Sequence, residues 1–247
     1  MKKVLLRVAY DGTSYHGWQR QQNGITVQEV LEEKLTELLH EEIRVTGASR
    51  TDAGVHALCN IAVFETHTRI PAEKISYALN QRLPEDIRIV ESREVCPDFD
   101  LRSCHAHKTY EYRIVNAAFP NPVKRLYTHF TYFNCDVEKM REAAQYLIGE
   151  HDFRAFCTVG AQVDTTVRTV TDICVTREGE EIIISVSGNG FLYNMVRIVA
   201  GTLLEVGYGR MEPGRVAEIL KSRDHKNAGP TAPAKGLCLT RLEIEGL

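Results

Sequence analysis

The feature that most constrains this chain is a change in hydrophobic spacing, from every second residue to every third or fourth and back, repeated along its length. Lys3 to Tyr10 reads as a strand, followed by a polar, glycine-containing loop to Gly24. Thr26-x-x-Glu29 is a capping box, and Val27, Val30, Leu31, Leu35, Leu38 and Leu39 follow at helical spacing. Ile43 to Thr46 and Ala57 to Phe64 read as strands, a helix is expected after Pro71, and Asp86 to Val90 is a further strand. The first hundred residues therefore read β-α-β-β-α-β. In the second half Lys108 to Val115, Val167 to Thr176, Glu181 to Ser187 and Leu237 to Ile244 read as strands. Val137 to Ile148, Phe191 to Val206 and Arg215 to Leu220 read as helices. Two α+β halves of similar order predict an internally duplicated fold, with the seam near Pro97 to His105 and halves of 1–104 and 105–247.

Composition narrows the class. A hydrophobic content of 43% suits a folded protein, and no apolar run approaches the roughly 20 residues that cross a bilayer. Arg7 and Asp11 interrupt the N-terminal apolar stretch too early for a signal peptide, so a cytoplasmic protein is expected. The seven cysteines are scattered, with no Cys-x-x-Cys pair, and read as reduced thiols. Cys104, His105 and His107 lie close together but lack a clear further ligand, so no metal is expected. The net charge of -3 speaks mildly against a nucleic-acid protein, yet its distribution is uneven. Arg102 to Arg125 holds five basic residues and one acid, while Glu29 to Glu42 holds six acids and one lysine. A basic zone of that kind can bind phosphates locally, although charge alone favours reading both stretches as solvated faces.

The chemistry concentrates in Gly47-Ala-Ser-Arg50-Thr-Asp52-Ala-Gly-Val-His56, between two predicted strands. Arg50 and Asp52 would form an ion pair or face one pocket, and the arginine would hold the carboxylate ionised. Such a carboxylate is a weak general base but stays anionic, fit for a nucleophile or an electrostatic stabiliser. Taken alone, the pair is better explained by a capped turn beside a surface arginine. Arg197 sits in the apolar stretch Phe191-Leu-Tyr-Asn-Met-Val-Arg197-Ile-Val, where a guanidinium is costly unless it is paired or snorkels from a helix end.

Ser49-Arg-Thr-Asp-Ala-Gly-Val-His-Ala57 resembles the active-site motif of the bacterial tRNA pseudouridine synthase A family. Tyr10-Asp-Gly-Thr-Ser-Tyr15-His-Gly-Trp18-Gln-Arg-Gln21 is similar to the family's N-terminal block, and Lys108-Thr-Tyr110-Glu-Tyr112-Arg to its substrate-tyrosine block. Gly149-Glu-His-Asp152-Phe153, Gly190-Phe191-Leu-Tyr-Asn-Met195-Val-Arg197 and Ala232-Pro233-Ala-Lys-Gly236-Leu237 continue the resemblance to the end of the chain.

The resemblance implies duplicated ferredoxin-like or RRM-like halves, joined into one antiparallel-rich sheet with helices on one face. It implies a cofactor-free isomerisation of uridine to pseudouridine in tRNA, at positions 38, 39 and 40 of the anticodon arm. Asp52 is then the catalytic carboxylate, attacking covalently or abstracting a sugar proton. Arg50 displaces or holds the flipped nucleotide, Tyr110 stacks on the target base, and Arg197 reaches Asp52. Arg102 and Lys108 are further substrate-binding candidates. A homodimer is implied, with tRNA contacts expected in the 102–125 zone and at Arg210, Arg215, Lys221, Arg223 and Lys226. Leu101-Arg-Ser-Cys-His105 departs from the family's usual Ala-Arg-x-Ser-Ala, which bears on substrate range. Two other classes fit parts of the pattern. One is an RNA-binding module without activity; the other is a hydrolase, which would need a second placed carboxylate, Asp152 being the nearest candidate.

Overall fold

The alternating apolar residues near the N-terminus form strand β1 (Lys2–Tyr10), which ends in the loop that braces the Asp52 segment. Helix α1 (Val27–Leu39) starts where the capping box predicts, with Thr26 Oγ1 accepting from Glu29 N–H at 3.3 Å. Strand β2 (Thr46–Gly47), strand β3 (His56–Thr66), helix α2 (Ala72–Asn80) and strand β4 (Ile87–Val95) complete the expected β-α-β-β-α-β order. Then follow β5 (Ala106–Asn116), β6 (His129–Thr131), α3 (Val137–Gln145), β7 (Gly149–Asp152), β8 (Val167–Glu178), β9 (Glu181–Gly188), α4 (Met195–Gly207), α5 (Arg215–Ser222) and β10 (Leu237–Ile244). The computed structural model describes residues 1–158 and 164–246. Among them no helix is long and apolar enough to cross a membrane.

The chain forms two units, one of residues 1–105 with the stretch from Leu239 onward, the other Ala106–Cys238. The sequence assigned everything after 104 to one half. Instead β10 carries the chain back into the first unit, where Glu245 N–H donates to His105 O at 3.0 Å. Hydrophobic spacing marks a strand but not which sheet it joins.

In the first unit β1 lies between β4 and β3, antiparallel to both, and β2 pairs with β3. The β1–β3 register slips between Val8 and Tyr10, a bulge that sets Tyr10 opposite Ala57 at the edge of the loop. In the second unit the order is β5-β9-β8-β7, antiparallel throughout, with β6 parallel to β5. Tyr110, Tyr112 and Ile114 share the buried face of β5, opposite Val186, Ile184 and Ile182 of β9. Both units are therefore α+β.

Two element boundaries differ from expectation for physical reasons. The strand predicted at 43–46 shrinks to Thr46–Gly47 because side chains of α1 take its backbone groups. Thr36 Oγ1 accepts from Ile43 N–H at 3.2 Å, and Glu32 Oε1 accepts from Val45 N–H at 3.0 Å. The helix predicted from Phe191 starts only at Met195, because Asn194 takes a left-handed conformation (φ 61°).

Glu32 is 3% exposed and joins three segments. Besides Val45 N–H it accepts from Gln28 Nε2 at 3.0 Å and from Arg20 at 3.1 Å, with Arg44 at 3.7 Å. It thus ties the 18–28 loop to α1 and to the approach of β2. Glu32→Leu leaves the buried Val45 N–H without its acceptor, while Arg20 and Arg44 keep Glu29 and Glu42, and it is expected to lower stability by about 1–3 kcal/mol. Glu32→Gln, which keeps the carbonyl oxygen, should lose markedly less; urea unfolding midpoints of the two variants measure the difference.

Candidate functional site

Asp52 begins a tight turn, closed by Val55 N–H donating to Asp52 O at 3.1 Å. The turn is held against the segment that follows β1. Trp18 N–H donates to Thr51 O at 3.1 Å, and Gly54 N–H donates to Tyr15 O at 3.2 Å. Gly17 has φ 85°, and a Cβ there would stand 2.5 Å from Thr51 O, so only glycine allows this approach. Gly12 packs still closer, since its Cβ would lie 2.0 Å from Val55 O. Side chains add to the brace. Tyr10 Oη and Thr51 Oγ1 are 2.7 Å apart, and Asn60 Nδ2 donates to Ser49 O at 2.9 Å. Trp18, 2% exposed, packs beside Tyr10 with ring centroids 5.9 Å apart. The N-terminal sequence block and the aspartate loop are thus one structural piece, with Asp52 half-buried at its turn.

Thr51 is pinned and buried, whereas Arg50 is exposed. The Arg50–Asp52 ion pair considered from the sequence is not formed among the described residues: the loop pins Thr51 inward and lets Arg50 extend to solvent. Arg102, also in the first unit, is exposed in a turn where its N–H donates to Asp100 Oδ1 at 3.1 Å.

Behind the brace, Tyr15 Oη donates to Asp86 Oδ1 at 2.6 Å. Burial and that carboxylate push the phenol well above its usual range.

The second unit holds Lys108, Tyr110 and Arg197. Tyr110 is 7% exposed and meets Phe191 edge-on, with centroids 5.4 Å apart and planes at 90°. Lys108 lies two residues earlier on β5, opposite Gly188. Burial, and then the charge of Arg168, bring its ammonium down to about 8. Tyr112 Oη donates to Pro233 O at 2.9 Å, and burial raises its pKa.

Arg197 sits in the first turn of α4, and its fixation was only partly legible in the sequence. Its Nε donates to Ala232 O at 2.7 Å, while Ala232 N–H donates back to Arg197 O at 3.1 Å. Its guanidinium also donates to Asn194 Oδ1 at 2.7 Å, and Asn194 Nδ2 is held by Thr158 Oγ1 at 2.8 Å. Asn194 was missed by sequence reasoning; an asparagine just before an apolar helix is the signal that could have found it. The left-handed turn is what aims its side chain back at Arg197.

Several cations expected to contact tRNA have acidic neighbours. Arg113 pairs with Glu111 at 2.6 Å, Arg210 with Glu205 at 3.1 Å and Arg223 with Asp152 at 3.1 Å; Lys124 pairs with Glu181 and Arg215 with Glu218. Lys221 and Lys226 are exposed. Asp152 is engaged structurally: it accepts from Thr166 Oγ1 at 2.6 Å and Arg154 N–H at 3.1 Å, and these bonds lower its pKa. That leaves it a poor candidate for a hydrolase's proton-donating carboxyl. His107 Nε2 lies 2.9 Å from Thr171 Oγ1, and the described residues contain no group of three His, Cys, Asp or Glu side chains placed to hold a metal ion.

The comparisons with known proteins agree with the motifs. A sequence model of a family described as tRNA pseudouridine synthase matches residues 7–104 and 143–243. tRNA pseudouridine synthase A of Thermoanaerobacter sp. (strain X514) is 47% identical over 242 residues, covering 98% of this chain and 99% of that protein. The protein of the same name from Acetivibrio thermocellus is 47% identical with the same coverage. tRNA pseudouridine synthase A 2 of Clostridium perfringens is 46% identical, again over 98% of this chain and 99% of that one. A chain of a solved Cbf5-Nop10-Gar1 complex aligns with a TM-score of 0.39 and 14% identity, covering 96% of this chain and 48% of that chain, too distant to bear on the site. On the family match and these near full-length relatives, the chain belongs to the tRNA pseudouridine synthase family.

Proposed function

We propose that this protein isomerises uridine to pseudouridine in the anticodon stem-loop of tRNA, at positions 38, 39 and 40, as a cytoplasmic homodimer. The observation that carries this reading is the match of the whole chain to proteins named tRNA pseudouridine synthase A. The reaction breaks the bond from uracil N1 to C1′, turns the base and forms a bond from C5 to C1′. N1 gains a proton and C5 loses one, so atoms and electrons balance without an oxidant or a cofactor.

Asp52 is assigned as the catalytic carboxylate. Its rigidly tethered turn supports that role, because a group held by backbone hydrogen bonds loses little entropy when it reacts. Arg50, exposed beside it, is the cation that meets the flipped nucleotide's phosphate. Tyr110 stacks on the extruded uracil, with Phe191 fixing its ring edge-on. Arg197, fixed by Asn194 and Ala232, supplies positive charge for the carboxylate's chemistry. Lys108 and Arg102 bind the RNA backbone. For Lys108 the charge is conditional, present below about pH 8 and lost above it.

Purified protein is expected to convert uridine in an unmodified tRNA transcript, with mapping of the product showing conversion at 38, 39 and 40 only. Asp52→Asn should remove conversion while tRNA binding stays within about twofold, since one carboxylate contributes to chemistry and not to phosphate contacts. Binding without conversion by the wild type would favour a pure RNA-binding module. Affinity for tRNA should also fall as pH rises through about 8, where Lys108 loses its proton. Lys108→Arg should remove that step, because guanidinium stays charged throughout.

A further inference from the structure

One imidazole edge in the brace of the Asp52 loop faces two groups that make opposite demands. His56, 6% exposed, places Nδ1 3.1 Å from Gly12 N and 3.1 Å from Asp11 Oδ1. The Gly12 N–H can only donate, and the ionised Asp11 carboxylate can only accept. Nδ1 therefore serves Gly12 when it carries a lone pair and Asp11 when it carries a proton, never both. Two features weigh for the lone pair. Asp11 Oδ1 already accepts from Thr13 N–H at 3.0 Å and from Thr13 Oγ1 at 2.5 Å. Gly12 is buried, and leaving a buried N–H without an acceptor costs about 1–3 kcal/mol.

Position makes this bond matter to Asp52. Gly12 packs directly on Val55 O, and Val55 N–H closes the turn onto Asp52 O. The tethers from Trp18 to Thr51 and from Gly54 to Tyr15 are main chain to main chain. The bond from Gly12 N–H to His56, at the loop's far end, depends on a side chain and on the tautomer of its ring.

We propose that His56 is a positioning residue for the uridine isomerisation: with its proton on Nε2, it accepts from Gly12 N–H and fixes the far arm of the loop that aims Asp52. This rests on Asp52 being the catalytic carboxylate. His56 acts through the backbone and touches no reacting atom.

The test uses the full-length protein and His56→Asn, whose Oδ1 stands as many bonds from Cα as Nδ1 does and accepts in every protonation state, together with His56→Ala. Side-chain nitrogen chemical shifts of wild type at pH 8 should show Nδ1 without a proton; a protonated Nδ1 would overturn the proposal. Exchange of the Gly12 amide should be as slow in His56→Asn as in wild type and at least about tenfold faster in His56→Ala. Equal protection in His56→Ala overturns it. Single-turnover conversion of tRNA should fall by about 10- to 100-fold in His56→Ala with tRNA affinity unchanged, the size of loss that misplacing a reacting group causes. His56→Asn should stay within about threefold of wild type, and an asparagine variant as slow as the alanine variant refutes the idea. Should His56→Ala not fold, His56→Asn alone decides, full rate supporting and a large loss refuting the role. A wild type that converts no uridine would refute the functional reading, while the nitrogen shifts and amide exchange still decide whether His56 holds the loop.

Discussion

The placement of Asp52 depends on one close approach, the backbone of residues 12–18 lying against the backbone of residues 51–55. Gly12 and Gly17 make it possible, because a side-chain carbon at either position would overlap a carbonyl oxygen. Around that contact the remaining parts fall into place. Tyr10 and Asn60 hold the Thr51 and Ser49 side of the loop, Trp18 fills the space beneath, and Glu32 fixes the start of α1 on which the 18–28 loop rests. Backbone-to-backbone tethers hold the Asp52 turn without occupying its side chain.

The second unit handles a similar demand with side chains. A left-handed asparagine and a two-way bond with Ala232 hold Arg197 at the first turn of a helix that is otherwise almost wholly apolar. The edge-on contact of Phe191 with Tyr110 holds that ring in place. Both arrangements restrict side-chain rotamers, and a side chain held in advance loses less entropy in any later contact.

Charge is less free than the composition suggests. The basic zone of 102–125 counts as net positive in the sequence, yet Arg113 and Lys124 share Glu181, and Arg113 also pairs with Glu111. Arg210, Arg215 and Arg223 have acidic partners as well. Pairs whose cation stays largely in solvent, as these do, are worth about 1 kcal/mol each, so RNA phosphates can exchange with them at modest cost. They do weaken any argument that counts cations without asking what already faces them.

The sequence by itself determined the elements, the buried face of β5, the capped start of α1 and the family, because periodicity, capping residues and a long motif are local signals. It also picked out Asp52, Tyr110 and Arg197 as residues of interest. It did not reveal that β10 returns to the first unit, that 43–45 surrenders its backbone bonds to Thr36 and Glu32, or that α4 waits until Asn194 has turned. Nor did it show that Arg50 extends to solvent without pairing with Asp52. Each of these depends on which distant group satisfies a backbone donor or a charge. That choice is made by packing between segments far apart in the chain, so only the tertiary structure decided it.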